Sequence, residues 1–283
     1  MVKPKLIVAI VAAVILGGAS WYLSRPIAAS DLLAALPPGA APTLYLDVKT
    51  LRAAGLIEKI AGPATLEDPE YQRFVAATGF DYRRDLDAVM IQSRPGDTLM
   101  MIAGTFDLDR LATYAKANGG RCAGALCSIQ GSSPQRQISW TPLRRRVLGL
   151  AVGADPMAAT LLAGNSTQPD FAMPKGPAWL HIPGPALRPG GGLPPGFSAL
   201  LSALEGAEYA QISATASEVT LVAPCPTQER AVALAGRLAE TTQSLRNLLA
   251  REKSPPNALA GSLAGGEFRA DGLTLRGRWP LKW

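Results

Sequence analysis

Hydrophobic and polar positions alternate with a period of two in a series of short segments and with a helical period in a few longer ones, and the two patterns follow one another in the same order twice. Residues 43–48 predict a strand, with Leu44, Leu46 and Val48 alternating against Tyr45 and Asp47. Helical spacing follows over 51–60 and 71–77, broken at Gly62-Pro63 and stopped by Gly79. Residues 86–92 and 98–104 predict a hairpin around Arg94-Pro95-Gly96-Asp97, and Asp107 caps a helix that ends at Gly119-Gly120. Strands over 126–130, 137–141 and 147–152 and a helix over 155–163 complete the first pass.

A polar, proline-bearing linker at 165–177 precedes the second pass. Trp179-Leu180-His181-Ile182, followed by Leu187-Arg188, can be laid without a gap on Thr43-Leu44-Tyr45-Leu46, followed by Leu51-Arg52, at an offset of 136 residues. A Pro/Gly-rich loop (183–196), a short helix (197–204), a hairpin (209–215 with 219–223), a long amphipathic helix (227–251) and a last hairpin (266–270 with 273–279, turning at Asp271-Gly272) follow. The order strand, helix, hairpin, helix, strands predicts an α+β fold of two tandem ferredoxin-like units with antiparallel sheets, 43–164 and 178–283. Leu44 and Leu46 are expected in the same core positions as Leu180 and Ile182, with Tyr45 and His181 on the opposite face.

Residues 6–23 differ from all of this. They carry no charge, follow Lys3 and Lys5, and close on Trp21 and Tyr22 before Arg25. Eighteen helical residues span about 27 Å, near the hydrocarbon thickness of a bilayer. Lysines hold the starting end in the cytoplasm and the aromatic pair suits the outer interface. Residues 1–25 therefore predict a single-pass N-terminal transmembrane helix in a bacterial inner membrane, with the rest periplasmic or extracellular. A cleaved signal peptide can also be drawn, with 6–16 as its core and Gly17 and Ala19 at the cleavage site, or with cleavage after Ala29. Continuation of the apolar run to Leu23 favours retention. Ala9, Ala13 and Gly17 recur every fourth residue and offer a face for homodimerisation in lipid. Residues 26–42 then read as a tether with one helical turn, capped by Ser30 and ended at Pro37-Pro38-Gly39.

Charge changes this picture little. The chain of 283 residues carries +6, but Lys3, Lys5 and Arg25 belong to the anchor region, and the remaining excess of three gives no case for a nucleic-acid partner. Arg144-Arg145-Arg146 is the one basic run; a solvated strand entrance explains it, and contact with anionic headgroups is its functional alternative. Cys122 and Cys127 lie five apart and are expected to form a local disulfide in an oxidising compartment, leaving Cys225 as a buried thiol.

Catalytic chemistry is sparse. His181 is the single histidine, and its place in a strand makes it a sheet-face residue more readily than a base. No Gly-x-Ser-x-Gly, Ser-x-x-Lys, His-Glu-x-x-His or Cys-x-x-Cys-His pattern occurs, so no catalytic, cofactor or metal residue is assigned. Asp81, Asp85 and Asp87 beside Arg83 and Arg84 read as solvated ion pairs, and Asp107 with Asp109 as a helix start. Gly190 to Gly192 lacks the lysine-serine pair of a phosphate loop, and Asn165-Ser166-Thr167 is a sequon that matters only in a eukaryote.

The stretch Leu36-Pro37-Pro38-Gly39-Ala40-Ala41-Pro42-Thr43-Leu44-Tyr45-Leu46-Asp47-Val48, with the Gly104-Thr105-Phe106-Asp107 turn, resembles a family of uncharacterised bacterial membrane-anchored extracytoplasmic proteins. That resemblance implies location and fold type and assigns no functional residue. The expected function is that of a membrane-tethered, non-enzymatic protein that binds another envelope protein or serves as an accessory subunit. The alternatives are a module for a small apolar ligand or lipid, held between the halves or beneath 183–196, and an envelope hydrolase working through carboxylates.

Overall fold

The computed structural model describes residues 27–57, 68–133, 136–162, 171–188, 203–251 and 264–281. Among these residues twelve strands are formed: β1 (Thr43–Leu46), β2 (Leu86–Arg94), β3 (Asp97–Gly104), β4 (Arg121–Ala123), β5 (Leu126–Gln130), β6 (Gln137–Arg144), β7 (Val147–Gly153), β8 (Ala178–Pro183), β9 (Tyr209–Ala214), β10 (Glu218–Pro224), β11 (Glu267–Asp271) and β12 (Thr274–Pro280). The helices are α1 (Ala29–Leu33), α2 (Val48–Ala53), α3 (Pro69–Thr78), α4 (Tyr82–Asp85), α5 (Leu108–Ala117) and α6 (Gln228–Arg251). All twelve strands join one sheet in the order β11-β12-β10-β9-β8-β1-β2-β3-β7-β6-β5-β4, and every neighbouring pair is antiparallel.

Local chemistry explains the boundaries. Pro95-Gly96 turns β2 into β3, with Gly96 at φ +86, a conformation open to glycine at little cost. Asp68 accepts from the Glu70 backbone N–H with Pro69 in the first turn of α3, and Gly79, at φ +76, ends it. Asp107 accepts from the Arg110 N–H at the start of α5. Leu111 and Ala115, four residues apart, form the buried stripe of that helix.

The two halves meet at the centre of the sheet. Thr43 lies opposite His181, Leu44 opposite Leu180, and Tyr45 opposite Trp179. Pairing is thus centred on Leu44 and Leu180, the residues that the 136-residue offset equates, so a local two-fold relates β1 to β8. Moving outward, β1-β2-β3-β7 on one side answers β8-β9-β10-β12 on the other.

This geometry corrects the ferredoxin-like expectation. A ferredoxin-like unit leads from its first strand through a helix to a parallel strand, whereas here β1 and β2 are antiparallel neighbours. The two-sheet arrangement is replaced by one sheet, because β1 and β8 each use both edges and neither half keeps a free inner edge.

The sheet has a front and a back. On the front of the first half, Tyr45, Met90, Leu99, Met101, Ala151 and Trp179 pack against α1 and the 3₁₀ turn Ala158–Leu162. On the back, α5 covers Cys127, Trp140 and Leu148 in the first half, while α6 covers Leu221, Ala223, Leu275 and Trp279 in the second. The front of the second half is polar: the Ser213 and Thr220 hydroxyls meet at 2.9 Å, and Arg278 reaches Glu218 at 2.6 Å.

Three further expectations change. The tether is not a free spacer, since Leu32, Leu33 and Leu36 are buried in the front core. Their spacing makes a short amphipathic turn whose apolar side had nowhere better to go than the open sheet face. The helix expected over 155–163 is the 3₁₀ turn Ala158–Leu162. Burial on the central strands differs in part from the expected one: Ile182 is fully buried as expected, but Leu44, Leu46 and Leu180 are half-buried, while Tyr45 and His181, on the opposite face, are buried as well. Alternation separates two faces of a strand but does not say which is more deeply covered, and here the front takes the aromatics.

Candidate functional site

At the β1–β8 junction, aromatic side chains run across the front face. Tyr45 and Trp179 lie 5.6 Å apart between ring centroids, Phe171 meets Trp179 edge-on, and Phe171 stacks on His181 at 3.8 Å with 5° between planes. Tyr209 follows, 5.4 Å from His181. His181 sits in register with Thr43 and Gln211, whose amide reaches the Ala172 carbonyl at 2.7 Å and lies 3.5 Å from His181 Nδ1. The histidine is a packed and hydrogen-bonded element of the junction. Phe171, assigned by sequence to the linker, supplies the stacking partner; a lone aromatic in a polar stretch is the one signal that pointed to it. Burial, followed by the Asp47 charge, pushes the Tyr45 phenol up to about 12.

The carboxylates are engaged in structure. Asp81 accepts from the Arg83 guanidinium and backbone and from the Tyr71 hydroxyl. Asp85 is held by Arg84 and the Asp81 N–H, and Asp87 by Arg146 at 2.5 Å. Hydrogen bonds from Arg83 hold the Asp81 carboxyl well below the usual carboxylate range, and the hydrogen bond from Arg84 lowers Asp85. Burial pushes Tyr71 up to about 12, aided by its bond to Asp81. Because the Asp81 value is depressed, its contribution is complete above the unfolded value of about 4 and is lost as pH falls through the folded one. Asp81→Asn is expected to cost about 1 kcal/mol at pH 7, after allowance for the half-exposed Arg83, with the difference from wild type closing below about pH 4 in urea titrations. Among the described residues no cluster of three His, Cys, Asp or Glu is placed to hold a metal.

Cys122 and Cys127 face each other across the β4–β5 hairpin, with Cα atoms 4.0 Å apart, and are joined by a disulfide. Cys127 and Trp140 lie under α5, so the bridge fastens the two outermost strands beneath that helix. Reduction is expected to lower stability by at most about 2 kcal/mol, because the closed loop is short, and calorimetry with and without reductant measures it. Cys225 remains a buried thiol whose titration is pushed up by burial.

Arg144, Arg145 and Arg146 form the β6–β7 turn and line a cavity of about 600 Å³ with Thr105, Phe106, Leu108, Pro142, Leu143 and Leu148. Sequence reasoning singled out the arginines but not Thr105, Phe106 and Leu108, which the β3–α5 connection brings beside them. This cavity lies in the first half, whereas an apolar site was expected between the halves or beneath 183–196.

On the back face, an apolar row crosses the sheet in register: Ile212, Leu180, Leu44, Ile91, Met100, Leu150 and Trp140. Its ends join the cores under α6 and α5, but among the described residues Leu44, Ile91 and Met100 in the middle, with Leu46, Val89 and Val152 beside them, belong to none of the buried clusters. All six are half-buried.

Lys3, Lys5, Trp21, Tyr22, Arg25 and the small-residue face of Ala9, Ala13 and Gly17 lie outside the described residues, as do Asn165 to Thr167 and Gly190 to Gly192. Among the described residues no helix is long and apolar enough to cross a membrane.

No family model matches the chain, and no curated protein matches it in sequence. Its similarity to solved structures extends to TP0453. Crystal form I is 12% identical over 89% of this chain and 92% of that one, with a TM-score of 0.49. Crystal form III is 11% identical over 88% and 93%, with a TM-score of 0.43, a likeness from which no function is drawn.

Proposed function

We propose that this chain is a membrane-tethered, extracytoplasmic, non-enzymatic protein that binds another envelope protein through the middle of its back face. One observation carries the reading: the register-matched row through Leu44, Ile91 and Met100 is apolar and half-buried, yet among the described residues joins neither helix-covered core flanking it. Half-covered apolar floors between helices suit an apolar segment of a partner. The uncharged run 6–23 supports the tether, and a tethered chain would carry the floor in the envelope.

Two measurements test this. Carbonate washing of membranes should leave the full chain in the pellet; a mature N-terminus at Ser20 or Ser30 would remove the tether. A photo-crosslinking side chain at Met100, set against one at Thr220 on the polar front, should capture a discrete protein from Met100 alone. Lipid adducts at Met100 would select the apolar-ligand alternative, and equal capture at both positions would dismiss the floor as a site.

A further inference from the structure

We infer that the Arg144-Arg145-Arg146 turn is a docking site for the anionic phospholipid headgroups of the membrane that anchors the chain. This rests on the tethered reading and adds an orientation to it. The β6–β7 turn is tight, and Arg146 adopts φ +64, which is uncommon for a residue with a side chain. Its carbonyl accepts from the Gly104 N–H, so the turn is fastened to the end of β3. Asp87 occupies Arg146 at 2.5 Å and Asp31 approaches Arg144 at 3.7 Å. Arg145, at the tip, has no salt bridge among the described residues and is exposed. Leu108, 44% exposed, lines the same cavity as Arg145. An exposed guanidinium and an exposed leucine lining one cavity are matched to the boundary of a bilayer, where phosphates lie above acyl chains.

Chain length brings this turn to the membrane. The uncharged run ends at Leu23 and α1 begins at Ala29, and six extended residues reach at most about 21 Å. Because Leu32 and Leu33 are buried, α1 cannot drift from the sheet, and Asp31 on α1 is the residue that meets Arg144. The point where the chain leaves the bilayer is therefore tied within a short span of the arginines, and a headgroup layer reached by Arg145 also lies within a Debye length of its two neighbours. The cavity between the turn and the β3–α5 connection, bounded by Thr105, has room for a glycerophosphate.

The test uses the full chain in nanodiscs of phosphatidylcholine alone or mixed with phosphatidylglycerol, reading hydrogen exchange at 143–148 and lipid retained in native mass spectrometry. Phosphatidylglycerol should slow exchange at the turn and be retained preferentially. Arg145→Gln, which breaks no ion pair, should reduce that retention about fivefold while the melting temperature stays unchanged. Equal behaviour in the two lipids, or retention unaffected in Arg145→Gln, would overturn the inference. So would protection of the turn by soluble glycerol phosphate in phosphatidylcholine discs, which would mark a site for free phosphate. Carbonate extraction is run in parallel: a chain released by it loses the tether itself, whereas a retained chain indifferent to phosphatidylglycerol loses only the headgroup site.

Discussion

Trp179→Ala is expected to lower stability by about 3–5 kcal/mol. Trp179 is 2% exposed, faces Tyr45 across the β1–β8 pair and takes Phe171 edge-on, so its removal empties the front core at the place where the halves join. An aromatic pair adds about 0.5–1.5 kcal/mol beyond its buried area, and two such contacts vanish together. For a chain of this size each kcal/mol moves the midpoint by about 2–4 °C, so thermal unfolding followed by near-ultraviolet dichroism should show a drop of roughly 10 °C. A loss below about 1 kcal/mol would mean that β1 and β8 are not paired as described.

Leu234→Ala is expected to cost about 2–5 kcal/mol. Leu234 is fully buried between α6 and the back of the second half, among Leu221, Leu238 and Leu275. It lies on the face opposite Trp179 and in a different cluster, so the double variant should be additive within about 0.5 kcal/mol. Since one sheet carries both cores, each variant should lower the same calorimetric transition. Two separated transitions, only one of which responds to Leu234→Ala, would restore a pair of independent domains.

Much of the element order was legible because it is written in local spacing. Pro95-Gly96 and Asp271-Gly272 mark turns, Asp107 marks a helix start, and Ala231, Leu234 and Leu238 share one helical stripe, so the β2–β3 and β11–β12 hairpins, α5 and α6 could be read directly. The three-residue strand β4 escaped, because Arg121 to Ala123 is too short to show alternation and exists by pairing with β5. At the candidate sites the outcome divides in the same way. The arginine run and the cysteine pair stand out by composition, whereas Leu108, Phe171 and the row through Ile91 and Met100 acquire meaning only from neighbours distant in the chain.

The sequence by itself determined the alternation of β1 and β8, their equivalence at an offset of 136 residues, and the identity of the covalent pair Cys122 and Cys127, since each depends on residues close together or on a direct match between two segments. Only the tertiary structure decided that the equivalent strands pair with one another instead of heading separate sheets. Edge hydrogen bonds are indifferent to sequence, and any unpaired inner edge gains by meeting another. It also decided how deeply each position on the two faces is covered. Tyr45, Trp179 and His181 turn toward α1 and Phe171, and the leucines toward the floor between α5 and α6, because burial depends on what packs above a strand and not on the strand's own period.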